Sequence, residues 1–505
     1  MKKLSKLILM CGGMAFCSFQ GMAQRVDWYC STEGNMWKTS TVKMGKSSGT
    51  PDVAVNKSET GEQSVVFKAW GATFNELDWD ALGVLTRDEQ DEILRRVFSP
   101  EGELGISRGR ISIGANDYAR SWYSCDEMDG DLELRYFNIE RDKQTIIPFI
   151  RAAQKYNPGL TFWVSPWCPP SWMKINNDYP VLSSRFNKMS PQLDYLLYGN
   201  VGGKIDPDEM KLTGERKGKF PRQLATTDYF IQDPRYLQAY ANYFCKFITA
   251  YAEQGIPIDM VIYQNEAYSY TPYPGCAWTA EGTIRFNRDY LGPTLKREHP
   301  EVKLYLGTFN TNRVDHVQKV ASDEKLQEYV SGMAFQWEGR EALPVLRKEH
   351  PEWNYMCSES ECGWGSFDWK AGEHTFELIN HYLGNGCNEY TFWNFILKDN
   401  GESPWGWKQN ALIRVNSQTR EFTYTPEYYA VKHYANFIRS GAKMVGYKGA
   451  GKEQKPVLVY LTPEHKYIVI AGNFTDQPQE LSVSLDGKSL TAQLPAHSYN
   501  TFQVR

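Results

Sequence analysis

The feature that most constrains this chain is a rhythm. Between about residues 65 and 435, short apolar runs alternate with stretches of helical periodicity. Such alternation is expected of successive βαβ units around a parallel sheet. The strand candidates are Val65–Ala69, Gly109–Ile113, Thr161–Ser165, Met260–Gln264, Lys303–Thr308, Gly332–Gln336, Asn354–Ser358 and Glu389–Trp393. Eight such strands close a barrel, so the reading is an α/β fold built on a (β/α)8 TIM barrel. The intervening helices carry their own start signals. Thr86 with Glu89 forms a capping box ahead of Arg87–Phe98. Asp233-Pro234 and Thr425-Pro426 each set a cap before a first-turn proline.

After Ile438 the pattern changes to short runs rich in β-formers, Val457–Tyr460, Tyr467–Ile470, Leu481–Leu485 and Phe502–Val504, punctuated by glycine and Asp-Gly turns. We read them as an antiparallel β-sandwich flanking the barrel, with the strand-and-turn segment Val26–Val66 folding back onto it. The expected division is a signal peptide over 1–23, an N-terminal segment joining the β-domain over 24–64, the catalytic barrel over 65–438 and the C-terminal β-domain over 439–505. The leader reading rests on Lys2, Lys3 and Lys6, the apolar Leu7 to Phe19, and the small-residue exit Gly21-Met22-Ala23. It implies a protein exported to the periplasm or the extracellular space, with no integral membrane segment.

A formal net charge of −4 and a pI near 6.1 offer no basic footprint for nucleic acid. Ten cysteines occur; eight lie beyond the leader, at scattered spacings that match neither a zinc site nor a dense disulfide frame. There is no HExxH, Walker loop or GxGxxG, so neither metal nor cofactor is expected. Gly45–Gly49 spells GxSxG around Ser47, but no strand precedes it and no helix follows, as a nucleophile elbow requires. More than 60 residues separate the third strand from the Asp233 helix, and Gly199 to Arg222 is rich in Gly, Lys, Asp and Pro. That excursion is either a wall of the cleft or a mobile decoration.

Barrels of this kind keep their chemistry where strands end, on the C-terminal face. The fourth strand candidate runs into Gln264-Asn265-Glu266 and the seventh into Ser358-Glu359. Two carboxyl groups on one face suit glycoside hydrolysis, in which one protonates the leaving oxygen and the other attacks the anomeric carbon. Retention requires the carboxyls about 5–5.5 Å apart. Glu361 rivals Glu359 as nucleophile but stands two positions into the loop. A strand-end glutamate can also be a structural ion pair; two of them at the fourth and seventh strands favour chemistry.

Several motifs together resemble glycoside hydrolase family 30, the group of glucosylceramidase and bacterial β-glycosidases. They are Trp70-Gly71-Ala72, Arg110 with Asn116-Asp117, Ser165-Pro166-Trp167, Pro170-Ser171-Trp172-Met173-Lys174, Gln264-Asn265-Glu266, Leu291-Gly292-Pro293-Thr294-Leu295, Ser358-Glu359 and Trp393-Asn394. The resemblance implies a retaining enzyme with Glu266 as acid/base and Glu359 as nucleophile. It further implies that Asp117, Trp167, Asn265, Trp393 and Asn410 bind the sugar of the terminal subsite. The chain departs from the glucosylceramidase pattern at Gln336-Trp337-Glu338. Trp337 keeps an aromatic face for the cleft, whereas Glu338 adds negative charge and speaks against ceramide-like substrates. Tyr268 to Tyr273 either packs the aglycone side or is a surface run.

The expected function is therefore a secreted retaining β-glycoside hydrolase whose partner is a β-linked oligosaccharide, polysaccharide or glycoside. The alternatives are endo-β-1,6-glucanase, β-xylosidase or β-fucosidase activity, and a catalytically silent carbohydrate-binding protein.

Overall fold

The structure is a computed structural model and describes residues 25–46, 50–55, 65–190, 228–269, 271–360, 363–449 and 456–504. The predicted leader, the Gly199 to Arg222 excursion, Ser47, Glu361 and Cys362 lie outside the described residues. Eight parallel strands form a closed barrel in chain order: Ala69–Phe74, Arg108–Ser112, Thr161–Ser165, Ile258–Ile262, Lys303–Phe309, Val330–Gln336, Asn354–Glu359 and Glu389–Phe392. The eighth returns to the first with Glu389 opposite Ala69. The interior is filled rather than hollow, by Trp163, Met260, Ile262, Tyr305, Ala334 and Met356.

Seven expected strands fall largely where the sequence puts them; the first is displaced. The apolar run Val65–Ala69 shares only its last residue with the observed strand. Val66 instead bridges Lys443, and the Phe67 N–H bonds the Ala442 carbonyl, so this run ties the barrel to the C-terminal domain. The strand itself contains Gly71, whose close neighbours are Thr391 and the Arg108 carbonyl; a Cβ there would lie 2.6 Å from the threonine hydroxyl. Two small residues in the middle of the strand hide it from a search for apolar runs.

The helix caps are present. Thr86 and Glu89 exchange the bonds of a capping box at the start of Arg87–Phe98. Asp233 accepts the Arg235 N–H to open Pro234–Glu253, and Thr425 accepts the Tyr428 N–H to open Pro426–Ala435.

The second layer pair is a β-sandwich. A six-stranded sheet runs Lys443–Met444, Val457–Leu461, Tyr467–Asn473, Ser498–Val504, Arg25–Thr32, Asn35–Lys43, with each neighbour antiparallel. It faces a four-stranded sheet of Gly45–Lys46, Lys488–Leu494, Gln479–Leu485 and Val53–Val55. Successive side chains on its strands point to opposite faces. Val457, Val459, Val469 and Ala471 fill the sandwich, while Leu458, Tyr460, Ile468 and Ile470 join the barrel's own core. Both faces are buried, which is why these strands read as unbroken apolar runs rather than as alternating ones. Polar bonds seal the seam: His433 on the last barrel helix contacts the Ser31 hydroxyl at 2.8 Å and the Thr501 hydroxyl at 2.9 Å.

Among the described residues, Cys30, Cys125, Cys168, Cys245, Cys276, Cys357 and Cys387 are buried free thiols. No described helix is long and apolar enough to cross a membrane.

Candidate active site

An arginine in the middle of a barrel strand needs a counter-charge, because an unpaired buried ion is prohibitively costly. Arg110, on the second strand, is fully buried and becomes the hub of the C-terminal face. Its Nη1 donates to Glu359 Oε2 at 2.5 Å and its Nη2 to Asn265 Oδ1 at 2.7 Å. Ser165 Oγ, from the third strand, accepts from Nη2 at 3.0 Å. The guanidinium also lies over the Trp167 ring at 4.2 Å and the Trp393 ring at 5.4 Å. Trp167 and Trp393 stack on each other with centroids 4.9 Å apart. One residue thus gathers Glu359, Asn265, Trp167 and Trp393, all of them predicted site residues.

Gln336, the last residue of the sixth strand, closes the ring from the other side. Its Nε2 donates to Asn265 Oδ1 at 2.6 Å, to the Thr308 hydroxyl at 2.9 Å and to Glu359 Oε2 at 3.2 Å. Glu359 Oε2 therefore receives two N–H donors, one of them a guanidinium that does not lose its proton. Burial pushes the Glu359 carboxyl up, and Glu266 and Asp117 add to that, while Arg110 draws it down. Both neighbours of Oε2 can only donate, which favours the carboxylate against the burial that raises it.

Glu266 stands four positions beyond the fourth strand. Its backbone has φ of 48°, a left-handed conformation that a side chain other than glycine adopts at a cost. The cost is met locally: its N–H donates to the Thr308 hydroxyl at 3.1 Å, and its carbonyl accepts the Ser269 N–H at 2.9 Å. Burial raises its carboxyl above the ordinary glutamate value, and the charge of Glu338 adds to that. Hydrogen bonds from Ser269 and Asn310, and the Arg110 charge, oppose it. A carboxyl so placed holds its proton to higher pH than a solvated one.

Asp117 sits on the turn after the second strand. Asn116 braces that turn by accepting the Tyr118 N–H and donating to Asn75 Oδ1 at 2.9 Å. Burial, with the Glu266 charge next, pushes Asp117 up to about 8. Asp117 Oδ1 and Trp393 Nε1 are buried with no hydrogen-bond partner in the protein. Lying beside the carboxylates, these two atoms are placed to bond the hydroxyls of a ligand.

Trp337 opens a short turn directly after the sixth strand and remains partly buried. Asn410 stands apart from the Arg110 cluster in its bonding. It is fully buried, donates to Glu427 Oε1 at 2.8 Å and accepts the Phe367 N–H at 3.3 Å. It lies against Gly363, so its hydrogen bonds shape the loop that follows Glu359. Of the tyrosines after Glu266, Tyr268 packs against His316 and Phe309, and Tyr273 is also buried; neither is a surface residue.

Gln336, Thr308, Asn310 and Ser269 were given no role by sequence reasoning, and Arg110 entered only as a motif mark. Arg110 carried a usable signal, a charge flanked by Gly109 and Ile111 in a strand interior. The other four are ordinary polar residues whose importance comes from what they face. Among the described residues no group of three or more His, Cys, Asp or Glu could hold a metal ion.

The parallel eight-stranded barrel thus gathers acidic side chains and aromatic rings at its C-terminal mouth. The chain matches the glycosyl hydrolase family 30 TIM-barrel domain over residues 67–185 and 206–438, and it belongs to that family of glycoside hydrolases. Relatives include putative glucosylceramidase 3 of Caenorhabditis elegans, 26% identical over 82% of this chain and 75% of its own length. The lysosomal acid glucosylceramidase of Mus musculus is 26% identical over 85% of this chain and 79% of its own. An endo-1,6-β-D-glucanase of Aspergillus fumigatus is 23% identical over 94% and 93%. Among solved structures, SrfJ from Salmonella typhimurium shares the fold with a TM-score of 0.79 at 18% identity, covering 95% of this chain and 99% of that one. A solved endo-β1,6-glucanase shares it at 0.73 and 21%, with the same coverage.

Proposed function

We propose that this chain is an exported retaining β-glycosidase that cleaves β-linked glucosides or glucans through a covalent glycosyl–enzyme. The observation that carries the reading is the unequal setting of two glutamates on one face. Burial raises both carboxyls, but Glu359 Oε2 is held between Arg110 and Gln336, donors that favour its anion, whereas on Glu266 burial is the leading influence and favours the proton. One group is prepared to attack and the other to donate.

In the first step a Glu359 oxygen bonds to the anomeric carbon as the glycosidic C–O bond breaks, and Glu266 delivers its proton to the departing oxygen. Glu359 is then an ester and Glu266 an anion. In the second step Glu266 takes a proton from water as that water attacks the same carbon, which frees Glu359 and restores both groups. Asn265, locked by Arg110 and Gln336, is suited to bonding the 2-hydroxyl, a contact that strengthens in the transition state. Asp117 accepts hydroxyls through its orphaned oxygen, and Trp167, Trp393 and Trp337 offer flat faces to the sugar. The glucosylceramidases and endo-1,6-glucanases among the relatives support β-linked glucose as the sugar. The basic and apolar leader supports export.

The test is a 2-fluoro-β-glucoside trap followed by peptide mass mapping, run beside a panel of aryl β-glucoside, β-xyloside, β-fucoside and β-1,6-glucan. A mass increment on the peptide carrying Glu359 is expected. Labelling of Glu361 instead would overturn the assignment. Absence of turnover on every β-linked sugar would mark a silent binding protein, and preference for xyloside or fucoside would replace the glucoside reading.

A further inference from the structure

The rings that gather at the carboxylates do not stop there. Tyr273, on the loop after Glu266, is buried, and burial raises its hydroxyl, with the charges of Glu266, Asp117 and Glu359 adding to the effect. Its ring lies 6.0 Å from that of Trp407, on the loop after the eighth strand. Trp407 in turn meets Trp364 edge-on at 5.3 Å. Trp364 sits on the loop after Glu359 and is 64% exposed. Three loops from three strand ends thus make one path of rings from the acids to the surface.

The outer end of this path is built with care. Trp364 is flanked by Gly363 and Gly365, both with positive φ, at 61° and 79°. A Cβ on Gly365 would lie 2.3 Å from the Asn400 carbonyl, and one on Gly363 would lie 3.0 Å from Asn410 Nδ2. The loop can hold its tryptophan outward only by pressing bare backbone against its neighbours. Trp407 is fixed from below by Tyr118, whose hydroxyl donates to the Gly401 carbonyl at 2.7 Å and to the Trp407 carbonyl at 3.4 Å. Trp407 Nε1 is buried and has no partner in the protein, the same condition as Trp393 Nε1 and Asp117 Oδ1 deeper in the site.

Resting on the glycosidase reading, we propose that Tyr273, Trp407 and Trp364 form successive sugar-binding positions, so that the substrate is a β-linked glycan chain rather than a single sugar on an apolar tail. Sugar rings offer C–H faces to an indole and hydroxyls to its N–H, which matches a ring path that contains an orphaned donor. Polar groups border the outer end of the path: the Asn400 carbonyl packs against Gly365, and the Lys408–Glu402 ion pair spans 3.5 Å on the neighbouring loop. A long acyl chain would instead call for a continuous apolar surface.

Glu359→Gln protein, titrated calorimetrically with β-1,3-, β-1,4- and β-1,6-linked gluco-oligosaccharides of two to five units, tests the path. In at least one series, affinity should rise with each added unit. Trp364→Ala should then weaken the longest ligand by about tenfold, roughly 1.4 kcal/mol, and the disaccharide far less. Trp364→Phe, which keeps a flat face, should restore most of the loss and control for folding. A flat length series for all three linkages, or a series unchanged in Trp364→Ala, overturns the proposal. So does affinity that climbs with alkyl length across octyl and dodecyl β-glucosides instead. Wild-type turnover of an aryl β-glucoside separates the two claims: activity with a flat series removes only the ring path, while inactivity with a rising series removes only the glycosidase reading.

Discussion

Two arginines on one strand, two positions apart, share a direction across the barrel and serve opposite ends of it. Arg108, near the start of the second strand, pairs with Asp259 at 2.6 Å and with Glu389 at 3.2 Å, tying it to the fourth and eighth strands. Burial works against its charge, but Asp259 and Glu389 outweigh it and raise its pKa. Arg110 meets Glu359, with Glu266 and Asp117 also in its field, and there burial wins and lowers it. The first site has nearly as much positive as negative charge, with Lys68 also beside Glu389. The second crowds several carboxyl groups around a single guanidinium, and Glu266, Glu359 and Asp117 are all pushed upward. A balanced ion cluster holds strands together. An acid-rich one favours protons on the carboxyls that the guanidinium does not itself hold, and a kept proton is what a general acid needs.

The sharpest way to break this contrast is at the mouth. Glu359→Gln should lower turnover by roughly 10⁴-fold or more, as removal of a nucleophile does, with the fold retained at a lower melting temperature because Arg110 loses its ion-pair partner. Glu266→Gln should cost on the order of 10²–10⁴ on poor leaving groups and much less on an activated aryl glycoside, which needs little protonation. Steady-state kinetics on both substrate types reads the difference. Equal losses on both would deny Glu266 its acid role.

The paired arginines come next. Arg110→Met should leave Glu359 buried without its partner, at a cost of roughly 3–5 kcal/mol, and should remove most of kcat. Arg108→Met should cost less, about 1–3 kcal/mol, because the side chain of Asp259 is 46% exposed to water and Lys68 remains beside the buried Glu389. Its kcat should stay within about twofold. Denaturant unfolding alongside kinetics decides the matter. If Arg108→Met were as inactive as Arg110→Met, the division between the two ends would fail.

The barrel was legible because each strand is a local apolar run and each helix carries a local cap; Thr86, Asp233 and Thr425 all act as their spacing foretells. The first strand escaped because Gly71 is selected by close packing against Thr391 and the Arg108 carbonyl, which no local pattern reveals. The same division runs through the site. The two glutamates stand out because each follows a strand end, and both lie in the field of Arg110. Gln336 and Thr308 do not, since their meaning lies in bonds to residues 71 and 43 positions away. Asn410 bonds Glu427 and the loop before Asp368 rather than the Arg110 hub, partners that its sequence neighbourhood does not announce.

A smaller effect separates stability from function at Asp117. Its carboxyl titrates near 8 in the folded protein, against an ordinary value of 3.8. The folded state therefore binds this proton more tightly than the unfolded chain does. Stability contributed by the protonated form is complete below pH 4 and is lost as pH rises toward 8. Asp117→Asn removes that dependence. It should match wild type in melting temperature near pH 4 and exceed it by about 2 °C or more at pH 8, while losing affinity for sugar. A variant that melts below wild type at pH 8 would contradict the buried, acid-rich setting.

The finest test lies at Glu338, the residue that departs from the glucosylceramidase pattern. Its N–H donates to Asn310 Oδ1 at 3.2 Å, and Asn310 in turn hydrogen-bonds Glu266. Burial is the main reason Glu266 holds its proton, and the Glu338 charge adds to it. Glu338→Gln keeps the backbone bond to Asn310 and removes the charge. The Glu266 carboxyl should then ionise at lower pH, so the alkaline limb of kcat/KM should move toward acid, with the maximum rate little changed. The effect should shrink as salt is added, since Glu338 is partly exposed and its field is screened. A limb that stays in place would confine the control of Glu266 to burial and its hydrogen bonds. A limb that moves the opposite way would mean that Glu338 acts on the acid through structure rather than charge.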